Sequence, residues 1–226
     1  MRRELILCAL TATLLGPLTL DAHAASAPAP KDLKAALVTK WKGKKFSLRS
    51  GTVKSLAARP TEWGYSRMPA RCKTPATEGL LYSSRVVHAL GKQPAALATL
   101  STKGSYYGET LISVPATASA GLFKPVVPKG CARVKVKHYD GKRITVRIVK
   151  VHDLPAIPGA TVTAIKMKFT PSPWESLPNP ESMLTVVRSG PLVMETYTDS
   201  ADGDVETVAN AFTEAAWRRA TGKLLP

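Results

Sequence analysis

The stretch Cys131-Ala-Arg-Val-Lys-Val-Lys-His-Tyr-Asp-Gly-Lys-Arg-Ile-Thr-Val-Arg-Ile-Val-Lys-Val151 decides the reading of this chain. Two runs that alternate apolar and basic residues flank Asp140-Gly141, the strongest short-range signal for a β-hairpin. A two-residue loop at Asp140-Gly141 would pair Lys137 with Ile144 and Lys135 with Val146, mixing charge and apolar groups on both faces. A three-residue loop, Tyr139-Asp140-Gly141 with Gly141 in the left-handed region, pairs Val136 with Ile144 and Val134 with Val146. The other face then gathers Lys137 with Arg143, Lys135 with Thr145, and Arg133 with Arg147. This register leaves one face dry and one basic, and it is the one predicted, because a slip of one residue exchanges the faces. Like charges directly across a strand pair repel, so the basic face must meet water or an anion. Arg133, Lys135, Lys137, Arg143 and Arg147 are therefore the candidate anion-binding residues.

Upstream, the chain of 226 residues opens with a secretory signal. Arg2-Arg3 form the basic region, Leu5 to Leu20 are mostly apolar, and Ala22-His23-Ala24 supplies small residues for cleavage after Ala24. The apolar run is too short for a stable membrane span, and no transmembrane segment is expected after cleavage. Residues 1–24 are thus read as signal peptide, 25–30 as a flexible tether and 31–226 as one domain. The charges of the signal cancel, so the mature part keeps the whole net charge of +16. Such a charge outside the membrane favours anionic partners such as wall polymers, lipid headgroups or acidic proteins. Export and the lack of any nucleic-acid-reading motif exclude nucleic acid as the expected partner. Removing Cys8 leaves Cys72 and Cys131, which an oxidising compartment predicts to be bridged. Closing a loop of about 60 residues would contribute ~4 kcal/mol.

The remaining elements follow from periodicity and punctuation. Asp32 is expected to cap a helix over Leu33–Trp41, within a segment, 31–50, that holds seven Lys/Arg against one acid. Phe46–Leu56 holds a weak strand signal. Arg59–Pro75 reads as loop, with Trp63 and Tyr65 packed over the core rim, and Thr77–His88 as a short helix passing into a strand. Two strands, Ala95–Ser101 and Glu109–Pro115, and a short helix over Thr117–Phe123 precede the central hairpin. After it come a turn-rich crossing at His152–Gly159, a strand with Thr163, Ile165, Met167 and Phe169 on one face, and a proline-rich loop over Pro171–Pro180. A second hairpin, Met183–Arg188 with Leu192–Tyr197, surrounds Ser189-Gly190-Pro191. An amphipathic helix over Asp204–Ala220, stopped by Gly222, closes the chain. The fold class predicted is α+β, an antiparallel sheet packed by a few helices.

Motifs for chemistry are absent. His88, His138 and His152 lie apart from one another, and no nucleophile elbow, zinc signature, Walker loop or dinucleotide fingerprint occurs. Paired acids for glycoside chemistry stay open, because their spacing is spatial. The acids Asp199, Asp202, Asp204 and Glu206 lack the order of a calcium loop and read as a polar turn at a helix N-terminus. No cofactor, no metal and no enzymatic activity are expected.

The second half resembles the extracellular sensor domain of actinobacterial receptor-type serine/threonine kinases, the kinase-H-like family found also in secreted proteins. The residues that carry the resemblance are a short helix before Cys131 and the strand pair after it, then Leu154-Pro-Ala-Ile-Pro-Gly159. They continue with the strand at 161–169, Val186-Val187-Arg188-Ser-Gly-Pro-Leu-Val193 and an Ala-rich final helix. Cys72 falls near the family's earlier cysteine. The resemblance implies an antiparallel sheet packed by helices, with a cleft for an unknown small ligand or envelope component. Gly159-Ala160 stands where the family has Gly-Asp, and these 226 residues include no kinase sequence.

Overall fold

In the computed structural model, which describes residues 27–57, 68–124, 126–137, 141–172, 180–200 and 204–224, Pro30 begins helix α1 (Pro30–Ala36). Proline suits this first position because its missing N–H has no helical partner there. The Asp32 carboxylate accepts the Ala29 N–H at 3.1 Å, tying the helix start. The helix is shorter than the predicted Leu33–Trp41, and it consumes the last residue of the expected tether. Leu37 is already extended (ψ 151°), and the Val38 N–H goes to the Glu109 carboxylate at 2.7 Å. Trp41 therefore belongs to a two-stranded ribbon, β1 (Lys40–Trp41) with β2 (Lys44–Lys45).

Strand β3 (Ser47–Thr52) and helix α2 (Val53–Ala57) follow, then a short 3-10 turn at Ala70–Cys72 and two small helices, α3 (Pro75–Glu78) and α4 (Ser84–Leu90). The helix-to-strand passage expected over Thr77–His88 is instead two helices separated by Gly79 (φ +86°). Next come β4 (Pro94–Thr102), β5 (Ser105–Ser113), a 3-10 turn at Ala120–Leu122, β6 (Arg133–Lys137) and β7 (Arg143–Val151). The chain ends with β8 (Thr161–Thr170), β9 (Glu181–Ser189), β10 (Leu192–Ser200) and helix α5 (Val205–Leu224). Gly222 does not stop α5.

Eight strands form one antiparallel sheet in the order β3-β4-β5-β10-β9-β8-β7-β6. The central hairpin has the predicted three-residue register, with Val136 opposite Ile144 and Arg133 opposite Arg147. Gly141 has φ +88°. The expected strand faces at 161–169 and the hairpin around Ser189-Gly190-Pro191 are present in β8, β9 and β10.

One face of the sheet is buried from β4 to β6, and the other is covered only in part. On the first, residues 53–131 lay Val53, Leu56, Leu80, Leu81, Val86 and Phe123 over Leu97, Ile112, Val193 and the valines and isoleucines of β6 and β7. The disulfide Cys72–Cys131, Cα–Cα 5.5 Å, lies in this layer. On the second face α1 and α5 bring Leu33, Leu37, Phe212, Ala216 and Trp217 onto Leu111, Val187 and Met194. Phe212 stacks on Phe46 at 5.9 Å and meets Trp41 and Tyr107 edge-on at 5.2 and 5.5 Å. Residues 1–24, read above as a signal peptide, and Trp63, Tyr65, His138, Tyr139, Asp140, Trp174 and Asp202 lie outside the described residues.

Candidate functional site

Helix α5 covers only part of its face. Its first turns place Val205 and Ala209 on Val151, Ala164 and Met183. Beyond that point the side chains of β6, β7 and β8 on this face are basic except Thr145, Val149 and Thr170. Strand register sets them in rows: Arg133 beside Arg147 beside Lys168, then Lys135 beside Thr145 beside Thr170, then Lys137 beside Arg143. All five predicted cations are exposed, and Lys168 joins them. Reading β8 as a strand placed Lys166 and Lys168 opposite its apolar residues, but only the pairing of β8 with β7 brings Lys168 to Arg147.

Acids stand at the border of this field and not within it. Glu181 pairs with Lys168 at 3.3 Å and with Lys166 at 3.8 Å, and Glu206, in the first turn of α5, also binds Lys166. The Glu206 hydrogen bond, more than the nearby charge of Glu181, holds the Lys166 ammonium above its usual pKa. Among the described residues no carboxylate lies within ion-pair distance of Arg133, Lys135, Lys137, Arg143 or Arg147. Two depressions open into solvent here. One, of about 510 Å³, is lined by Arg133, Thr145, Arg147, Lys168 and Thr170. The other, of about 290 Å³, shares Arg147 and Lys168 and reaches Lys166 and Glu181. Guanidinium and ammonium groups so arranged can neutralise and hydrogen-bond an anion; they include no nucleophile or general base.

The other face of the sheet holds a narrow depression among its covering helices. It is a slot between α3 and the sheet, lined by Gly79, Tyr82, Tyr106, Glu195 and Tyr197. Its free space is about 20 Å³, room for about one water molecule. Glu195 accepts the Leu80 N–H at 2.7 Å, and burial pushes its carboxyl up to about 8 against that hydrogen bond. Glu109, facing the α1 side from the neighbouring strand, is likewise pushed to about 8 by burial. Sequence reasoning missed both; an acid inside an apolar strand run was the available signal.

The other polar candidates have structural positions. Asp199 turns inward to the Ser182 and Tyr197 hydroxyls, and burial raises its carboxyl to about 6. Asp204 accepts the Glu206 N–H at 3.0 Å and the Thr207 hydroxyl at 2.6 Å, capping α5 as predicted. His88 and His152 are exposed on separate elements. Among the described residues no helix is long and apolar enough to cross a membrane.

No protein-family model matches the chain, and no curated protein matches it by sequence. Solved structures that it is similar to include two mycobacterial proteins. An uncharacterised protein from Mycobacterium smegmatis, an ortholog of Rv0999, is 19% identical with a TM-score of 0.46, covering 87% of this chain and 98% of its own. The extracellular domain of the kinase PknH from Mycobacterium tuberculosis is 11% identical with a TM-score of 0.49, covering 85% and 98%. The sensor domain named by the order of motifs is thus among the structures this chain is similar to.

Proposed function

We propose that the mature chain is an exported, non-enzymatic binding domain that holds an anionic polymer of the cell envelope on the open face of β6, β7 and β8. One observation carries the reading: five exposed cations on one sheet face, with direct cross-strand repulsion at Arg133–Arg147 and Lys137–Arg143 and no acidic partner among the described residues. A fold relieves such repulsion cheaply with acids, and this chain has acids to spend, since its last 56 residues hold eight against four bases. Among the described residues Glu181 and Glu206 stand at the border, and Glu195 and Asp199 turn into the protein. A bound polyanion would supply the missing counter-charge. Signal, disulfide and charge agree on a site outside the cytoplasm.

The test is binding of the mature chain to immobilised polyanions. Replacing Lys135, Lys137 and Arg147 with Gln should leave the circular dichroism spectrum unchanged and weaken binding by about tenfold or more, and wild-type binding should fall at least as steeply between ~50 and ~200 mM salt. A triple variant that binds like wild type, or wild-type binding indifferent to salt, would reduce the face to solvated surface.

A second reading, that the slot beside α3 senses a small polar molecule, is favoured by the buried Glu195 carboxyl. A ligand acting there would raise the melting temperature of the triple Gln variant as it does that of wild type, and would lose its effect in Glu195→Gln.

A further inference from the structure

The geometry of the basic face says more than its sign. Adjacent strands are about 5 Å apart, and alternate residues along a strand step by about 7 Å. The three rows therefore offer positive charge at about 7 Å intervals along β6 and β7, from Arg133, Arg147 and Lys168 to Lys137 and Arg143. The first two rows close around the larger depression, which is lined by two guanidinium groups, one ammonium and two hydroxyls.

We infer that this depression takes the phosphate groups of a linear phosphodiester polymer without stacked bases, the polymer running along β6 and β7 toward Lys137 and Arg143. The assignment rests on the reading of this face as a polyanion surface and adds the chemical class. A planar carboxylate offers two oxygens, which a single arginine fork satisfies. Two arginines side by side, both without a carboxylate partner among the described residues, exceed that need. The oxygens of a phosphate diverge tetrahedrally, so a fork from β7, a fork from β6 and the Thr145 or Thr170 hydroxyl can reach one group from different sides.

Two alternatives are disfavoured by what the face lacks. Among the described residues it carries no aromatic side chain on which bases could stack,. It also presents no large exposed apolar side chain for a lipid layer; Val126, which is exposed, belongs to the loop before β6. The acids fix the track. Glu181 continues the first row beyond Lys168, so a polyanion is repelled from crossing to β9 and is held to the direction of the strands.

The experiment compares three probes of equal charge on the mature chain: a synthetic oligo(glycerol phosphate), an oligogalacturonate and a single-stranded oligodeoxynucleotide. At ~150 mM salt the oligo(glycerol phosphate) should bind about tenfold tighter than the oligogalacturonate, because only phosphate uses both forks. Arg147→Lys keeps the charge and removes a fork; it should weaken the phosphate probe about tenfold and the carboxylate probe less than about twofold. Lys150→Gln, an exposed charge on the opposite face, should change neither. Equal affinities for phosphate and carboxylate, or Arg147→Lys indistinguishable from wild type, overturn the phosphate assignment while leaving the polyanion reading in place. Tighter binding of the oligodeoxynucleotide overturns the exclusion of bases. Failure of every probe to bind removes both conclusions.

Discussion

Glu195 and Glu109 stand on adjacent strands and face opposite sides of the sheet, since Glu195 pairs with Thr110 and Thr196 with Glu109. Each accepts a backbone N–H from one of the two layers that cover the sheet, Leu80 on one side and Val38 on the other. Burial is the dominant influence on both and raises each carboxyl from 4.5 to about 8. Between these values the folded chain keeps protons that the unfolded chain releases. The contribution to stability is complete below the unfolded value and is lost as pH rises through the folded one. The melting temperature should therefore fall by about 5 °C or more from pH ~5 to pH ~8.5, a shift equivalent to only a few kcal/mol. Glu195→Gln keeps an acceptor for the Leu80 N–H and removes the titration, so its slope should be about half that of wild type. Differential scanning fluorimetry across this range decides the point: parallel profiles for the two proteins would mean that Glu195 does not titrate there.

Among the elements, those legible in the sequence are the ones with a single buried face or a strong turn signal. β6 and β7 alternate because their basic face is open, and the cost of turning five charges inward leaves one register. Strand β10 was legible through the turn Ser189-Gly190-Pro191 and not through alternation. Buried residues from Leu192 to Thr198 cover both of its faces, so alternation gives way to a continuous run. The small helices α3 and α4 span four and seven residues, too short for helical periodicity to show. The length predicted for α1 failed on a tertiary contact, because the Glu109 carboxylate takes the Val38 N–H where another turn would have begun. Gly222 failed as a stop signal because glycine costs a helix only about 1 kcal/mol and meets no obstacle there. α5 itself is anchored by Phe212, fully buried among Trp41, Phe46 and Tyr107. Phe212→Ala should cost ~3–5 kcal/mol, read as a lower urea midpoint at unchanged slope. A midpoint shift worth under ~1 kcal/mol would show that α5 is not held through this ring.

At the scale of the whole molecule, the cover that residues 53–57, 68–90 and 114–124 lay on the sheet has only helices of seven residues or fewer and 3-10 turns, and it is tied covalently. Cys72 ends a 3-10 turn under this layer and Cys131 lies two residues before Arg133, so the bridge fastens the cover to the start of the basic hairpin. Both cysteines are fully buried. The pairing was legible because the expected removal of Cys8 with a signal leaves two cysteines; the basic field was legible only in part, because Lys168 reaches it through strand order. With a sequence separation of 59 between the cysteines, loss of the bridge should cost ~4 kcal/mol, mainly by freeing the unfolded chain. Replacing both with Ser should lower the urea midpoint accordingly. It should also weaken polyanion binding several-fold, because β6 is the last strand of the sheet and the freed segment leads directly into it. Thiol titration of the unfolded, unreduced mature protein should find no free sulfhydryl. Two thiols per chain would remove the bridge, and a double variant with the stability of wild type would leave the layer held by its apolar contacts alone. Binding lost without a change in stability would place the effect of the bridge in the edge strand that carries Arg133, Lys135 and Lys137.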